Sequence, residues 1–351
     1  MQPALRQRTP RFVGHFAGLR RRFPPGAGLF ASLLACSCGA GEPRFAAAPG
    51  AERASIEAID DELHALSRGL TAAHRDTFRG ILEDTLAKDP YVCRPSPRQV
   101  FFGEAPEGSR TIEGALPHYG FFFGPMRYRV RRRGPGEARG WEVSVTIALD
   151  FPRASRIELP DCALVREVSG DESACRGVPY SSAPSVEACP GSGSFSLPAT
   201  TANLRALLGW WSREAERYYN RDAEHFAIPV HYDFTFVEAP VPAASPVDLA
   251  TLLSPTCGRT PYFSAFRSGW SLPIVAHEVG HVLGLLDEYE AFSGLSSAYP
   301  KTPFPGAEQS RMGLSMREGT RVLPLHHYLI LRRYLCAEPA RGSFYEAAPP
   351  M

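Results

Sequence analysis

The segment Ser271–Tyr289, which reads SLPIVAHEVGHVLGLLDEY, constrains the fold more than any other part of this 351-residue chain. His277 and His281 are four positions apart, so on an α-helix both imidazoles lie on one face and can bind the same metal ion. Glu278 lies about 100° around the helix from His277, where its carboxylate can hold a water molecule next to the metal without being a ligand. The segment therefore predicts a metal-binding helix.

Residues on either side of the two histidines support the same helix and a turn after it. Ser271 is a favourable N-cap residue, and Pro273 is tolerated in the first helical turn, where its missing N–H group costs no hydrogen bond. Gly284 allows a backbone conformation that residues with a Cβ atom disfavour, and a turn there brings Asp287 back towards the metal. A zinc hydrolase is the function class that this arrangement favours.

The pattern from His277 to Asp287, H-E-x-x-H-x-x-G-x-x-D, resembles the zinc motif of the metzincin peptidases, with Asp in place of the usual third His. The same replacement is known in the snapalysin-type secreted peptidases. The continuation Asp-Glu-Tyr resembles the bacterial immunoglobulin A peptidase family. The resemblance is specific only over Ser271–Tyr289, although the order of elements agrees over roughly residues 200–340. The zinc ligands that it implies are His277, His281 and Asp287, with Glu278 as the general base.

Two details of the implied zinc site stay open. Glu288 is an alternative third ligand, with Asp287 then outside the coordination shell. Metzincins also carry a Met-turn beneath the zinc, and Met312 and Met316 both follow the motif at a suitable distance. Met312 is preferred because Gly313 after it permits a turn, and either methionine would also serve as an ordinary core residue.

The pattern of apolar residues along the chain predicts an α+β fold. The predicted elements are, in chain order, one or two amphipathic helices in 53–88, a β-hairpin in 100–151, a helix at 200–220, a strand at 228–237, the metal-binding helix and a terminal helix at 325–335. The resemblance implies a metzincin-like catalytic domain with a mixed twisted sheet, the motif helix and a C-terminal helical subdomain. A helical and β-rich N-terminal region precedes it.

The predicted domain layout has five parts. They are a signal peptide with a lipobox at 1–36, a tether at 37–52, the helical then β-rich region with disulfides at 53–198, the zinc metallopeptidase-like domain at 199–340 and a tail at 341–351. Residues 53–198 could be a pro-region, a separate domain or an extension of the catalytic sheet.

Two polar clusters have a structural and a functional interpretation. The arginines at 131–133 are more typical of a solvated strand face than of a patch that steers substrate. The pair His326-His327 is more typical of residues that pack or face solvent than of a metal or substrate site.

The N-terminus has the features of an export signal. Residues 1–35 contain six arginines and no acidic residue, so the chain from Cys36 onward carries a formal charge of −5 (1 minus 6). A short apolar run ends in Leu33-Leu34-Ala35-Cys36, which resembles a bacterial lipobox whose Cys becomes lipidated. We therefore predict a cell envelope lipoprotein, at the outer membrane or cell surface, attached through a lipid anchor at Cys36. Cleavage near Ala40 or Ala48 would instead give a secreted protein.

Six further cysteines follow Cys36 and Cys38, and none of them forms a C-x-x-C pair, which disfavours a Cys-based zinc site. They are Cys93, Cys162, Cys175, Cys189, Cys257 and Cys336. An even number in an exported chain predicts up to three disulfides, with the pairing open.

These features together predict a zinc-dependent endopeptidase that hydrolyses protein or peptide substrates with a zinc-bound water and Glu278 as general base. The alternatives are a surface binding lipoprotein on an inactive peptidase scaffold and a zinc hydrolase of a non-peptide envelope substrate. The nearly balanced charge of +1 predicts no nucleic-acid partner. No oligomeric state is predicted.

Overall fold

The computed structural model describes most of the chain between Ala54 and Cys336. The described residues are 54–67, 75–91, 93–118, 122–134, 140–171, 173, 195–242, 245–258, 260–288, 307–314 and 316–336. They all belong to one compact unit, Phe45–Met351. The predicted signal peptide and lipobox with Cys36, the tether at 37–52 and the tail at 341–351 lie outside them.

Helices and strands are mixed along the chain, which confirms the α+β class. The helices are α1 (Ile56–Leu66), α2 (Arg75–Lys88), α3 (Pro97–Phe102), α4 (Cys162–Ser169), α5 (Thr201–His225), α6 (Leu272–Val282) and α7 (Pro324–Leu335), with a 3-10 turn at Ala307–Gln309. The strands are β1 (Gly108–His118), β2 (Phe122–Arg132), β3 (Trp141–Asp150), β4 (Arg156–Glu158), β5 (Ser196–Pro198), β6 (Val230–Glu238), β7 (Leu249–Ser254) and β8 (Ala265–Arg267).

Strand β3 is the centre of a six-stranded mixed sheet. The parallel strand β6 pairs with it along one edge, from Trp141 to Leu149. On the other edge, the antiparallel β2 pairs with residues 141–144 and the parallel β7 pairs with residues 147–150. Strand β1 extends the sheet beyond β2, and β8 extends it beyond β7. The antiparallel pairing of β2 with β3 agrees with the predicted hairpin.

Helix α5 packs on this sheet because its apolar residues recur at helical spacing. The ring of Trp211 lies 5.6 Å from that of Phe236 on β6 and 6.1 Å from that of Phe266 on β8. Burial of side chains of this size stabilises a fold by about 1.5–3 kcal/mol each. The helix predicted at 200–220 is thus confirmed, and it continues to His225.

The six-stranded sheet contains strands from both sides of the predicted boundary at residues 198 and 199, while β4 and β5 form a separate two-stranded sheet. Strands β1–β3 precede this boundary, β6–β8 follow it, and β3 pairs with both groups. A disulfide between Cys93 and Cys336, with Cα atoms 5.4 Å apart, also joins the two regions. Residues 53–198 could be a pro-region, a separate domain or an extension of the catalytic sheet, and this strand pairing agrees with an extension of the sheet.

The terminal helix α7 is buried along its whole length, and its polar residues are buried with its apolar ones. His326 and His327 therefore pack in the interior. Of the arginines at 131–133, which were expected on a solvated strand face, Arg132 is instead buried with its guanidinium 4.6 Å from the ring centroid of Trp141. Arg131 and Arg133 lie 3.7 and 3.4 Å from a carboxylate oxygen of Glu142.

Two further cysteines, Cys162 and Cys257, are also disulfide-bonded. Cys175 and Cys189 lie outside the described residues.

Within the described part of the chain, no helix is both long and apolar enough to cross a membrane.

Candidate metal centre

The predicted metal-binding helix is present as α6, and it is buried on nearly every side. Ser271 has the extended backbone of an N-cap residue but makes no side-chain capping hydrogen bond, so its predicted capping role is only partly met. Pro273 lies in the first turn, as expected. After the helix ends at Val282, Gly284 has a φ of +85°, a left-handed conformation that a residue with a Cβ atom rarely adopts.

The side chains of His277, His281 and Asp287 converge. Oδ1 of Asp287 lies 3.1 Å from Nε2 of His277 and 3.3 Å from Nε2 of His281. The three side chains form the one group of potential metal ligands found among the described residues, with donor atoms within 4.8 Å of one another. The turn at Gly284 therefore brings Asp287 back to the two histidines, as the spacing predicts.

Each histidine is oriented by a backbone carbonyl on its other ring nitrogen. Nδ1 of His277 lies 2.9 Å from the Arg311 carbonyl oxygen, and Nδ1 of His281 lies 2.8 Å from that of Leu285. Because a carbonyl oxygen only accepts, each Nδ1 carries the proton. In the neutral imidazole Nε2 then presents a lone pair, which is the form that binds a metal ion.

A positive charge is needed where these three atoms meet. With both histidines in the Nδ1–H form, no N–H group of the described residues points at Asp287 Oδ1, and this buried oxygen then lacks a donor. Three lone pairs directed at one another repel unless a cation lies between them. Two imidazoles and one carboxylate form a donor set that suits Zn²⁺, so the residues present fit the expected metal.

A proton on His281 is the competing way to supply that charge. Burial alone would lower the pKa of His281, but the adjacent Asp287 carboxylate outweighs it and raises this pKa to about 9. Burial likewise disfavours the Asp287 carboxylate, and the charge of His281 holds its pKa well below the usual value of 3.8. A metal ion bound by Nε2 of His281 would therefore have to displace this proton.

Glu288 does not lie beside the imidazoles of His277 and His281 but binds another histidine. Its Oε1 lies 2.7 Å from Nε2 of the buried His326. Nδ1 of His326 accepts a hydrogen bond from the Leu323 N–H, so Nε2 carries the proton and donates to Glu288. The Glu288 N–H also donates to the Met312 carbonyl oxygen at 2.9 Å. The structure thus places Asp287, and not the alternative Glu288, beside both imidazoles.

The neighbouring His327 does not belong to the group of potential metal ligands. Its Nδ1 lies 2.6 Å from the Tyr232 hydroxyl oxygen. Burial, with a smaller contribution from His326, lowers the pKa of His327 to about 3, so the ring is neutral. The His326-His327 pair therefore has the packing role that the sequence favoured.

Met312 packs against α6 at Gly280. It is fully buried, and a Cβ atom added at Gly280 would lie 2.5 Å from its sulfur and 3.0 Å from the Tyr219 hydroxyl oxygen. The glycine between the two histidines thus lets Met312 approach closely. Met316, the other candidate, is partly exposed.

Sequence reasoning missed two residues that support the histidines. The ring of Tyr262 stacks on that of His281, with centroids 5.4 Å apart, and its hydroxyl donates to the Pro125 carbonyl of β2 at 2.7 Å. Arg311 is fully buried, supplies the carbonyl that orients His277, and donates from its guanidinium to the Thr320 carbonyl at 2.7 Å. Neither lies at a helical or motif spacing from the histidines, so no sequence signal marks them.

Glu278, the expected general base, follows His277 on α6 and is 9% exposed. Tyr289 lies outside the described residues.

Comparisons with known proteins add little to this geometry. No family model matches the chain, and no curated protein matches it. A solved structure titled "Structure of a chaperone-substrate complex" matches at 14% identity and a TM-score of 0.23. The match covers 65% of this chain and 40% of that one, so this chain spans less than half of its length. A likeness at this level supports no conclusion about fold or function.

Proposed function

We propose that this protein is a zinc-dependent endopeptidase with a metzincin-like catalytic domain. The observation that carries the proposal is the convergence of His277, His281 and Asp287, with each Nδ1 held by a carbonyl so that Nε2 faces the carboxylate. The order α5, β6, β7, β8 and α6 also agrees with the order expected of a zinc-peptidase domain.

His277, His281 and Asp287 would bind the metal, and Glu278 would transfer the proton. When bound, zinc would polarise the scissile carbonyl and make a water molecule more acidic. Glu278 would accept the proton of the attacking water and pass it to the nitrogen of the leaving amine. Asp287 would contribute a negative charge that a third histidine lacks, and a zinc ion held there would be a weaker Lewis acid.

Export to the cell envelope, with a lipid anchor at Cys36, belongs to the same proposal. The disulfides at Cys93, Cys162, Cys257 and Cys336 favour it, because such bonds persist in oxidising compartments. Peptides or proteins outside the cytoplasm are therefore the proposed substrates.

Metal analysis and a peptide-library digest test the function directly. The purified protein is expected to contain about one zinc per chain and to cleave library peptides. A chelator should abolish cleavage, and added Zn²⁺ should restore it. Zinc binding without cleavage of peptides, but with hydrolysis of an envelope glycan amide, would indicate the non-peptide hydrolase. Absence of both zinc and hydrolysis would indicate the inactive binding scaffold.

The pH dependence of zinc binding is expected to show the competition at His281. Below a pKa of about 9 the metal-free His281 holds a proton that zinc must displace. The zinc dissociation constant should therefore fall about tenfold per unit of pH from about pH 6.5 to about pH 9, and level off above. Chelator competition across this range measures it. An affinity that stays constant from pH 6.5 to 9 would contradict the assigned His281–Asp287 interaction.

A further inference from the structure

The side chain of Arg333 on α7 contacts the end of the metal-binding helix. Its Nη1 donates to the Leu283 carbonyl at 2.9 Å, and its Nη2 donates to the Gly284 carbonyl at 2.8 Å. Carbonyl groups at the C-terminal end of a helix lack partners within the helix, and a cation there also favours the helix dipole. Both bonded carbonyls lie in the turn that leads to Asp287.

Gly284 makes room for this contact. A Cβ atom there would lie 2.5 Å from Nη1 of Arg333, which is closer than such atoms approach. The left-handed φ of Gly284 and the approach of the guanidinium thus both require glycine. The turn and Arg333 therefore form one packed unit.

Asp89, in the segment after α2, holds Arg333 in this position. Oδ2 of Asp89 accepts from Nε of Arg333 at 2.9 Å and from its Nη2 at 2.5 Å, and both side chains are fully buried. Nη1 of Arg333 also donates to the Tyr128 hydroxyl at 3.2 Å. A buried charge pair with these hydrogen bonds has little freedom to move, so the guanidinium is a rigid support.

We propose that Arg333, held by Asp89, is a positioning residue for the metal centre. It holds the turn from Leu283 to Asp287, so that the Asp287 carboxylate stays beside the imidazoles before the metal binds. Without this support the turn must be ordered when the metal binds, which weakens the affinity. The inference rests on the proposed metal site. Asp89 precedes β1, so under this inference the N-terminal region also helps to position the metal ligands.

Arg332 provides a matched control. It is also fully buried, and its Nη2 lies 2.7 Å from the same Asp89 oxygen. Its Nη1, however, donates to the Tyr91 and Cys93 carbonyls at 2.8 Å, and not to the turn. A Lys at either position keeps a positive charge near Asp89, but at position 333 it loses the planar fork whose two Nη atoms each bond one carbonyl of the turn.

The test compares Arg333→Lys, Arg332→Lys and the unchanged full chain. Zinc affinity is measured by competition with a chromophoric chelator, ligand geometry by the absorption spectrum of the Co²⁺ form, and stability by the Tm of the metal-free form. Both variants are expected to lower Tm. Only Arg333→Lys should weaken zinc binding, by about 10- to 100-fold, and change the Co²⁺ spectrum.

Unchanged zinc affinity in Arg333→Lys, or equal weakening in both variants, would overturn the proposal. If Arg333→Lys does not fold, Asp89→Asn replaces it. This variant keeps the shape of Asp89 and weakens its hold on Arg333, so it should also weaken zinc binding, and unchanged affinity would overturn the proposal. A wild-type chain that binds zinc but cleaves no peptide would refute the endopeptidase alone, whereas one that binds no metal would refute both.

Discussion

Replacing Glu278 by Gln is expected to lower kcat/KM for peptide hydrolysis by about 10²- to 10⁴-fold while leaving the zinc content unchanged. The amide has nearly the shape of the carboxylate but cannot accept the proton of the attacking water. Glu278 is also not among the three side chains whose donor atoms converge, so its replacement removes no expected ligand. Cleavage of a fluorogenic peptide identified from the library digest, together with metal analysis, measures both quantities.

The same variant controls for contaminating proteases. Prepared in the same way as the unchanged chain, Glu278→Gln should carry zinc without cleaving the peptide. Proteolysis at the wild-type rate would remove Glu278 from the role of general base. Loss of zinc from the variant would show that Glu278 contributes to metal binding, which the present geometry does not predict.

Replacing Asp287 by Asn is expected to weaken zinc binding by about 10³-fold. Structural zinc sites with four protein ligands bind with about 10–16 kcal/mol, so one ligand accounts for up to roughly 4 kcal/mol, which corresponds to this factor. The neutral amide oxygen is a poorer ligand than the carboxylate whose Oδ1 lies 3.1 and 3.3 Å from the two Nε2 atoms. Chelator competition measures the change.

Glu288→Gln is the matched comparison, because the two acids are adjacent and both are largely buried. A Gln oxygen can still accept the hydrogen bond that His326 donates, so we expect zinc affinity within about tenfold of the unchanged chain. If zinc affinity instead falls strongly in Glu288→Gln and only slightly in Asp287→Asn, Glu288 is the third ligand.

Helix α6 and the turn after it could be predicted from the sequence because both depend on local geometry. The four-residue spacing places His277 and His281 on one face of any α-helix, and Gly284 marks the left-handed turn that returns Asp287. The long helix α5 was predicted for the same reason, since its apolar stripe has the helical period.

The choice between the two adjacent acids needed the tertiary structure. Both Asp287 and Glu288 follow Gly284 closely, so the local turn alone allows either carboxylate near the metal. His326, which is 38 positions further along the chain, binds Glu288 and leaves Asp287 beside the imidazoles. No helical period and no sequence motif relates Glu288 to His326 over this distance in the chain.

Spacing along the chain is enough to place His277 and His281 on one helix face and a turn at Gly284, because helical spacing and glycine geometry act over a few residues. The contacts that hold these residues in place come from segments far apart in the chain. Asp89 and Arg333 are 244 positions apart, yet together they support the turn that carries Asp287. The sheet likewise joins strands from both sides of residue 198. Such contacts depend on how distant segments pack, and the burial that pairs these charges exists only in the folded chain.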